Sequence, residues 1–150
     1  MKSIIGTLRE WLSVCPYLDD FSGGQHIDWI GPTAGNYGIA PVGCSVIEET
    51  YDIQENCCLV KQYNAVLYAR NWTVDDVVRL ENADFLDNFQ RWVEEQQHMG
   101  LTPKFGDNPD DEVISAENGM LFELAEDGQT GIYQIQLSVT YEKYYERKDA

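Results

Sequence analysis

The sequence has few of the residues that hold metals and carry redox chemistry. It contains two histidines and four cysteines, and no two cysteines have the CxxC spacing of zinc sites or redox motifs. A zinc site would need ligands gathered from scattered positions, so buried free thiols are the simpler interpretation. We therefore expect neither a metal nor any other cofactor.

Positive charge is also scarce. Ten Lys and Arg residues stand against 26 Asp and Glu residues, which gives a formal net charge of −16. Such a surface repels phosphate groups, so binding to the nucleic-acid backbone is disfavoured. An acidic surface is compatible with two other roles: it can mimic DNA, or it can line a passage through which DNA slides without adhering.

Long hydrophobic segments are missing as well. No apolar stretch approaches the roughly 18 residues that a membrane-spanning helix needs. At the N-terminus, Arg9 and Glu10 come too early for the hydrophobic region of a signal peptide. The sequence thus predicts a protein that stays in the cytoplasm where it is made and has no membrane partner.

Familiar catalytic patterns do not occur. There is no GxSxG, Walker or dinucleotide-binding motif, and "GCS" at 43–45 lacks the strand–turn–helix context of a nucleophile. Cys44 and His26 could serve as nucleophile and base only if the fold brought them together. The acidic segment 107–112 is interrupted by Pro109 and lacks EF-hand spacing. We predict that the chain is not an enzyme.

The clearest positive signal is the alternation in "GIYQIQLSVTY", residues 131–141. Apolar and aromatic side chains fall on one face, which is typical of a strand with that face on a core. The other face carries amides and hydroxyls rather than Lys and Glu: Gln134, Gln136, Ser138 and Thr140. An uncharged hydrogen-bonding face is unexpected in so acidic a chain, and it indicates either a subunit contact or a simply solvated surface.

Periodicity and turn residues predict the remaining elements. Apolar spacing predicts an amphipathic helix at 3–15 that Pro16 ends. A long helix should follow a Thr73–Asp76 capping box, with "ENAD" (81–84) as a kink or break and Gly100 as its end. Strands at 26–31 and 36–42 should form a first hairpin, and strands at 45–53 and 57–70 a second one. Further strands are predicted at 113–117 and 119–125, followed by a last strand from 131 and a fraying tail.

These strands cluster along the chain instead of alternating with helices, which indicates an α+β fold. We predict a single domain spanning residues 1–150. Its mostly antiparallel sheet of about five to seven strands should pack against the N-terminal helix and one long helix, continuous or broken.

Several short segments, in this order, resemble a family of small phage and prophage proteins. They are "CPYL" (15–18), "IDWIG" (27–31), "NYGIAP" (36–41), "NFQRWVEEQ" (88–96), "GLTP" (100–103), "GMLF" (119–122) and "YQIQLSVTY" (133–141). The family is often labelled minor capsid proteins and belongs with the tail terminators. The resemblance covers almost the whole chain, and its motifs are structural rather than catalytic.

The resemblance implies a hexameric ring of this chain on the head-proximal end of a phage tail. Such a ring stops growth of the tail tube, contacts the tail tube protein and a head-completion protein, and lets DNA pass without specific binding. The protein would be assembled in the bacterial cytoplasm and then reside in the tail or neck of the virion.

Two sets of residues become candidate functional sites on this interpretation. The predicted assembly and tail contacts are Tyr51, Ile53, Phe105, Gln134 and Gln136. The predicted acidic lining of the lumen is Glu48, Glu49, Asp52, Asp107, Asp110 and Asp111. The alternatives are another head–tail junction (neck) protein, an acidic DNA-mimic inhibitor or a small enzyme. Inhibition of a nuclease that disappears with salt would favour the mimic.

Overall fold

The computed structural model describes residues 3–18, 25–27, 35–108 and 112–147. Its helices are α1 (Ile4–Leu12), a short 3₁₀ helix (Pro16–Leu18) and α2 (Asp76–His98). Its strands are β1 (Gln25–Ile27), β2 (Asn36–Tyr51), β3 (Cys57–Trp72), β4 (Val113–Leu124) and β5 (Thr130–Tyr145).

Helix α1 begins at a serine cap. The Ser3 hydroxyl accepts a hydrogen bond from the Gly6 amide at 3.1 Å, which satisfies one of the free N–H groups of the first turn. The helix ends at Leu12, earlier than predicted, and the 3₁₀ turn at Pro16–Leu18 continues the chain. Leu8, Trp11 and Leu12 are buried, so one face of α1 lies in the core.

Helix α2 starts at a different cap from the one predicted. Asp75 is the N-cap and accepts from the Val78 amide at 2.9 Å. The predicted Thr73–Asp76 capping box is wrong because Thr73 is buried and donates its hydroxyl to the Gly128 carbonyl. The helix is continuous through 81–84. There the side-chain amide of Asn82 donates to the Trp72 carbonyl and to the Tyr133 hydroxyl. Gly100, with φ of +71°, follows the end of the helix as predicted.

The sheet has the strand order β1-β2-β3-β5-β4. The four strands β2, β3, β5 and β4 pair antiparallel in that order. The short β1 instead runs parallel to β2, with Gln25 opposite Tyr37. The predicted hairpin between 26–31 and 36–42 is therefore wrong, because paired segments that run in the same direction cannot be joined by a hairpin turn.

The α+β class and the mostly antiparallel sheet are confirmed, as are the β2–β3 and β4–β5 hairpins. Within the described residues the sheet has five strands, of which four form the antiparallel part, so the predicted five to seven is slightly too many for that part. The predicted strands 36–42 and 45–53 are one strand, with register shifts at Pro41/Gly43 and Val46/Glu48. β4 likewise continues through a shift at Glu117/Met120. The turn-like residues in these segments form bulges and not strand ends.

The core lies on one face of the sheet, between the strands and the helices. On β5 the predicted apolar face is buried, with Tyr133, Ile135, Leu137, Val139 and Tyr141 each at most 5% exposed. Phe89 and Val93 of α2 are fully buried against the same cluster. The Trp11 and Trp92 rings lie 4.7 Å apart, which joins the two helices. The opposite face of the sheet, called here the outer face, carries the side chains that alternate with this core, among them Asn64 of β3 and Gln136 of β5.

Strands β2, β3 and β5 continue past the helices as a projecting arm. We define the arm as residues 46–61 and 142–145. β2 residues from Val42 onward are exposed, and β5 stays paired with β3 as far as Tyr145 opposite Cys57. The predicted fraying of the tail after Tyr141 is wrong over these residues, because the β3 edge supplies a ladder of backbone hydrogen bonds.

Candidate functional site

The turn at the tip of the arm is closed by Asp52. One carboxylate oxygen accepts from the Gln54 and Asn56 amides, both at 2.9 Å, and the other accepts from the Asn56 side chain at 3.0 Å. The hydrogen bond from the Asn56 side chain and those from the backbone lower the pKa of Asp52. Asp52, predicted to line a lumen, thus holds the arm turn in shape.

Replacing Asp52 by alanine should loosen this turn and leave the rest of the fold intact. We expect faster hydrogen exchange at the Gln54 and Asn56 amides, which lose their acceptor. Because the pKa is lowered in the folded protein, the carboxylate stabilises the turn above its ordinary pKa of about 3.9 and loses that effect as pH falls through the folded value. Glu48→Ala, at an exposed carboxylate on the same arm, is the control. Equal exchange in both variants would contradict the assignment.

Two predicted contact residues lie at the tip and are available to a partner. Ile53 is fully exposed and Tyr51 is 63% exposed. The Tyr51 hydroxyl donates to the Glu49 carboxylate. This hydrogen bond and the negative charge of Glu49 raise the pKa of Tyr51 to about 12. The tyrosine therefore stays protonated at physiological pH, with its ring accessible.

Sequence reasoning missed the aromatic side chains that β5 adds to the arm. Tyr144 and Tyr145 are about half exposed and, with Thr50 and Cys58, line an open groove of about 410 Å³. The Tyr144 hydroxyl donates to Glu142 at 2.6 Å, which raises the pKa of the tyrosine and lowers that of the carboxyl. The three tyrosines of "YEKYY" (141–145) are strand-favouring residues and could have predicted this extension, although Lys143 interrupts the alternation.

The predicted lumen carboxylates do not form one wall. Glu48 pairs with Val60 and Glu49 with Leu59, so the two side chains lie on opposite faces of the arm. Asp107 accepts from the Tyr144 amide at 2.8 Å and lies 3.5 Å from the Lys143 ammonium. Asp110 and Asp111 lie outside the described residues. The described carboxylates surround the arm instead of facing one direction.

Phe105 is less accessible than its position in a loop suggested. Its ring lies 5.8 Å from the ring of Tyr141 and packs partly buried against the core. Its amide donates to the buried carboxylate of Glu112. The same loop reaches the arm, where the Asp107 amide donates to the Glu142 carbonyl at 2.9 Å. Phe105 therefore helps to fix the loop against β5, and a contact role for it stays a prediction.

The outer face carries a network of uncharged side chains that links three strands. Asn64 accepts from Gln62 at 3.0 Å and from Ser138 at 2.8 Å. Gln136, which is exposed, accepts from Asn118 at 3.0 Å. Gln134 lies half-buried on the same face, opposite Tyr68. The predicted polar face is thus real, and strand pairing adds the amides of β3 to it.

Within the described ranges, no three His, Cys, Asp or Glu side chains come together in an arrangement that could hold a metal ion. In the same part of the chain, neither α1 nor α2 is long and apolar enough to cross a bilayer. No protein-family model matches this chain, and no curated protein matches it in sequence.

Proposed function

We propose that this chain is a phage tail terminator, which assembles as a hexameric ring at the head-proximal end of a tail. The ring contacts the tail tube protein on one side and a head-completion protein on the other, and DNA passes through its lumen. The order of sequence segments from "CPYL" to "YQIQLSVTY" supports this proposal, as does the α+β architecture.

The observation that carries the proposal is the projecting arm. Large apolar side chains on it are exposed, Ile53 in the turn at the tip and the others on paired strands: Val46, Ile47, Tyr51, Tyr144 and Tyr145. Soluble proteins rarely expose a contiguous group of such residues unless it contacts a partner. A three-stranded arm is also rigid enough to present them in fixed positions, since its backbone is paired on both sides of β3.

The charge of the arm supports a role beside DNA. Glu48, Glu49 and Glu142 are placed on the arm, and Asp107 is attached to its edge. These carboxylates lie on both faces of the arm and not on one wall, so whichever face meets DNA repels its phosphate groups. The same charges oppose association of identical copies, so cations should favour assembly.

Native mass spectrometry over a range of protein concentrations, with and without millimolar magnesium, tests the ring. We expect a hexamer whose population rises when magnesium is added. This rise should be larger than the rise in sodium chloride of equal ionic strength. Addition of the chain to polymerising tail tubes should cap them and limit their length, as seen by electron microscopy. A chain that stays monomeric and leaves the tubes uncapped would contradict the proposal.

Ile53→Asp should weaken tube capping, because it places a charge at the fully exposed tip of the arm. Val14→Asp is the matched control: it changes another exposed aliphatic residue, 68% exposed and next to α1. Equal loss of capping in the two variants would argue against the arm as the contact.

A further inference from the structure

The outer face of the sheet is almost free of charge, although the chain carries −16. On β5, its outward positions between Ile132 and Thr140 hold no charged residue. Arg70 of β3 and Glu117 of β4 are the charged residues at regular outward positions on those strands, and Glu123 lies at a bulge. The surface charge is therefore concentrated elsewhere, on the arm, the loops and the part of α2 from Glu81 onward, whereas Asp76 and Arg79 at its start have opposite charges.

One end of this face is apolar and aromatic. The Tyr68 and Phe122 rings lie 5.8 Å apart. Phe122, Met120 and Trp72 are each more than half exposed. Aromatic residues and methionine are enriched in protein interfaces, where they supply most of the binding energy. Next to this apolar end lies the neutral amide and hydroxyl network around Asn64, which can be covered at lower cost than charges can.

The open part of the outer face has the size of a small specific contact. On β2 the outward Asn36 and Gly38 are buried, which leaves β3, β5 and β4 as the open strands. Three strands about 4.8 Å apart and about ten residues along β3, at about 3.4 Å each, give about 14 Å by about 34 Å, or roughly 480 Å² of flat area. Protruding side chains increase this area towards the ~800 Å² per partner of a standard interface.

We infer that the outer face binds a second copy of this chain. Two copies that each carry −16 repel one another over most of their surface, and burying unpaired carboxylates is costly. The neutral outer face is where such copies can approach closely without that cost. This inference rests on the proposed function and deepens it, because it states where one subunit of the ring touches the next.

A ring also requires a second, different surface on the neighbouring copy, since contacts that close into a ring join unlike patches. The exposed apolar ridge at the start of α2 meets this requirement. Val77 is 67% and Leu80 is 64% exposed, one helical turn apart, on the helix that packs against the opposite side of the sheet. The outer face of one copy therefore binds the α2 ridge of the next.

Three double variants, each adding two carboxylates, test this contact. Gln134→Glu with Gln136→Glu changes the outer face, and Val77→Glu with Leu80→Glu changes the ridge. The matched control is Gln90→Glu with Gln96→Glu, which makes the same glutamine-to-glutamate change as the outer-face variant but at two positions of α2. By sedimentation velocity in magnesium, we expect self-association at least about tenfold weaker in the first two variants and unchanged in the control. Thermal unfolding by circular dichroism checks that each variant is folded.

Mixing the face variant with the ridge variant identifies which surfaces meet. Each keeps one intact half of the contact, so an equimolar mixture should form mixed dimers and no larger ring. Retained assembly in the face variant would overturn the inference while leaving the ring itself intact. A monomeric wild-type chain in all conditions, or an absence of mixed dimers, would also overturn it. If the wild-type chain forms the expected contact but never caps tail tubes, the inference holds and the proposed function fails.

Discussion

Replacing Phe89 by alanine should lower the free energy of unfolding by about 3 to 5 kcal/mol. Phe89 is completely buried at the centre of α2, with its ring about 6 Å from those of Phe85 and Trp92. The truncation removes the buried ring and leaves a cavity that the helix and the sheet cannot fill by small shifts. Urea denaturation followed by tryptophan fluorescence measures the change.

Phe122→Ala is the matched control, because it makes the same truncation on the outer face. Phe122 is 55% exposed, so the loss of unfolding free energy should be about 1 kcal/mol or less. Its effect should appear in self-association instead, since Phe122 belongs to the apolar end of the outer face. Similar stability losses for both variants would mean that Phe122 is covered within the monomer, which contradicts its exposed position.

Removing the Glu112 carboxylate should have the second large effect. Glu112 is 2% exposed, and one of its oxygens accepts from the Phe105 and Gly106 amides at 2.9 and 2.6 Å. Glu112→Ala leaves both N–H groups without this acceptor, at a cost of about 1 to 3 kcal/mol each if they stay buried. We expect a loss of about 2 to 4 kcal/mol, measured by urea denaturation, and faster exchange of both amides. An unchanged exchange rate would show that the loop is held by other contacts.

The pH dependence of this effect has a defined sign. Burial raises the pKa of Glu112. The hydrogen bonds from Gly106 and Phe105 and the charge of Lys104 lower it by less, so the pKa lies above its ordinary value. The folded protein therefore binds this proton more tightly than the unfolded chain does. Relative to Glu112→Gln, which stays neutral, the wild-type protein should lose stability as pH rises from about 4.3 towards the raised value. A difference that grows in the opposite direction would contradict the raised pKa.

The features that sequence reasoning predicted correctly are local ones. The alternation in residues 131–141 gave the buried face of β5, and the turn chemistry of 126–131 gave its hairpin with β4. Period-two and helical patterns depend on neighbouring residues alone, so they can be read without the rest of the fold. The exposed positions of Tyr51 and Ile53 followed in the same way from their place beside a turn.

Features that depend on register and on competing partners were predicted less well. Thr73 looked like a helix cap, but its hydroxyl binds Gly128, 55 residues away. The strand breaks near 43 and 118 were bulges, because pairing with β3 and β5 resumes beyond them. Local sequence cannot distinguish a bulge from a strand end, since the difference lies in the partner strand.

The sequence by itself determined the strong acidity of this protein, the mixed α and β composition and the uncharged face of its last strand. Only the tertiary structure decided what that face becomes. Ser138 and Asn64 are 74 residues apart and meet because β3 and β5 pair in one particular register. A shift of one residue would turn these side chains towards the core. The tertiary structure likewise decided that Asp107 holds its loop to the arm, because the Tyr144 amide that donates to it is 37 residues away along the chain.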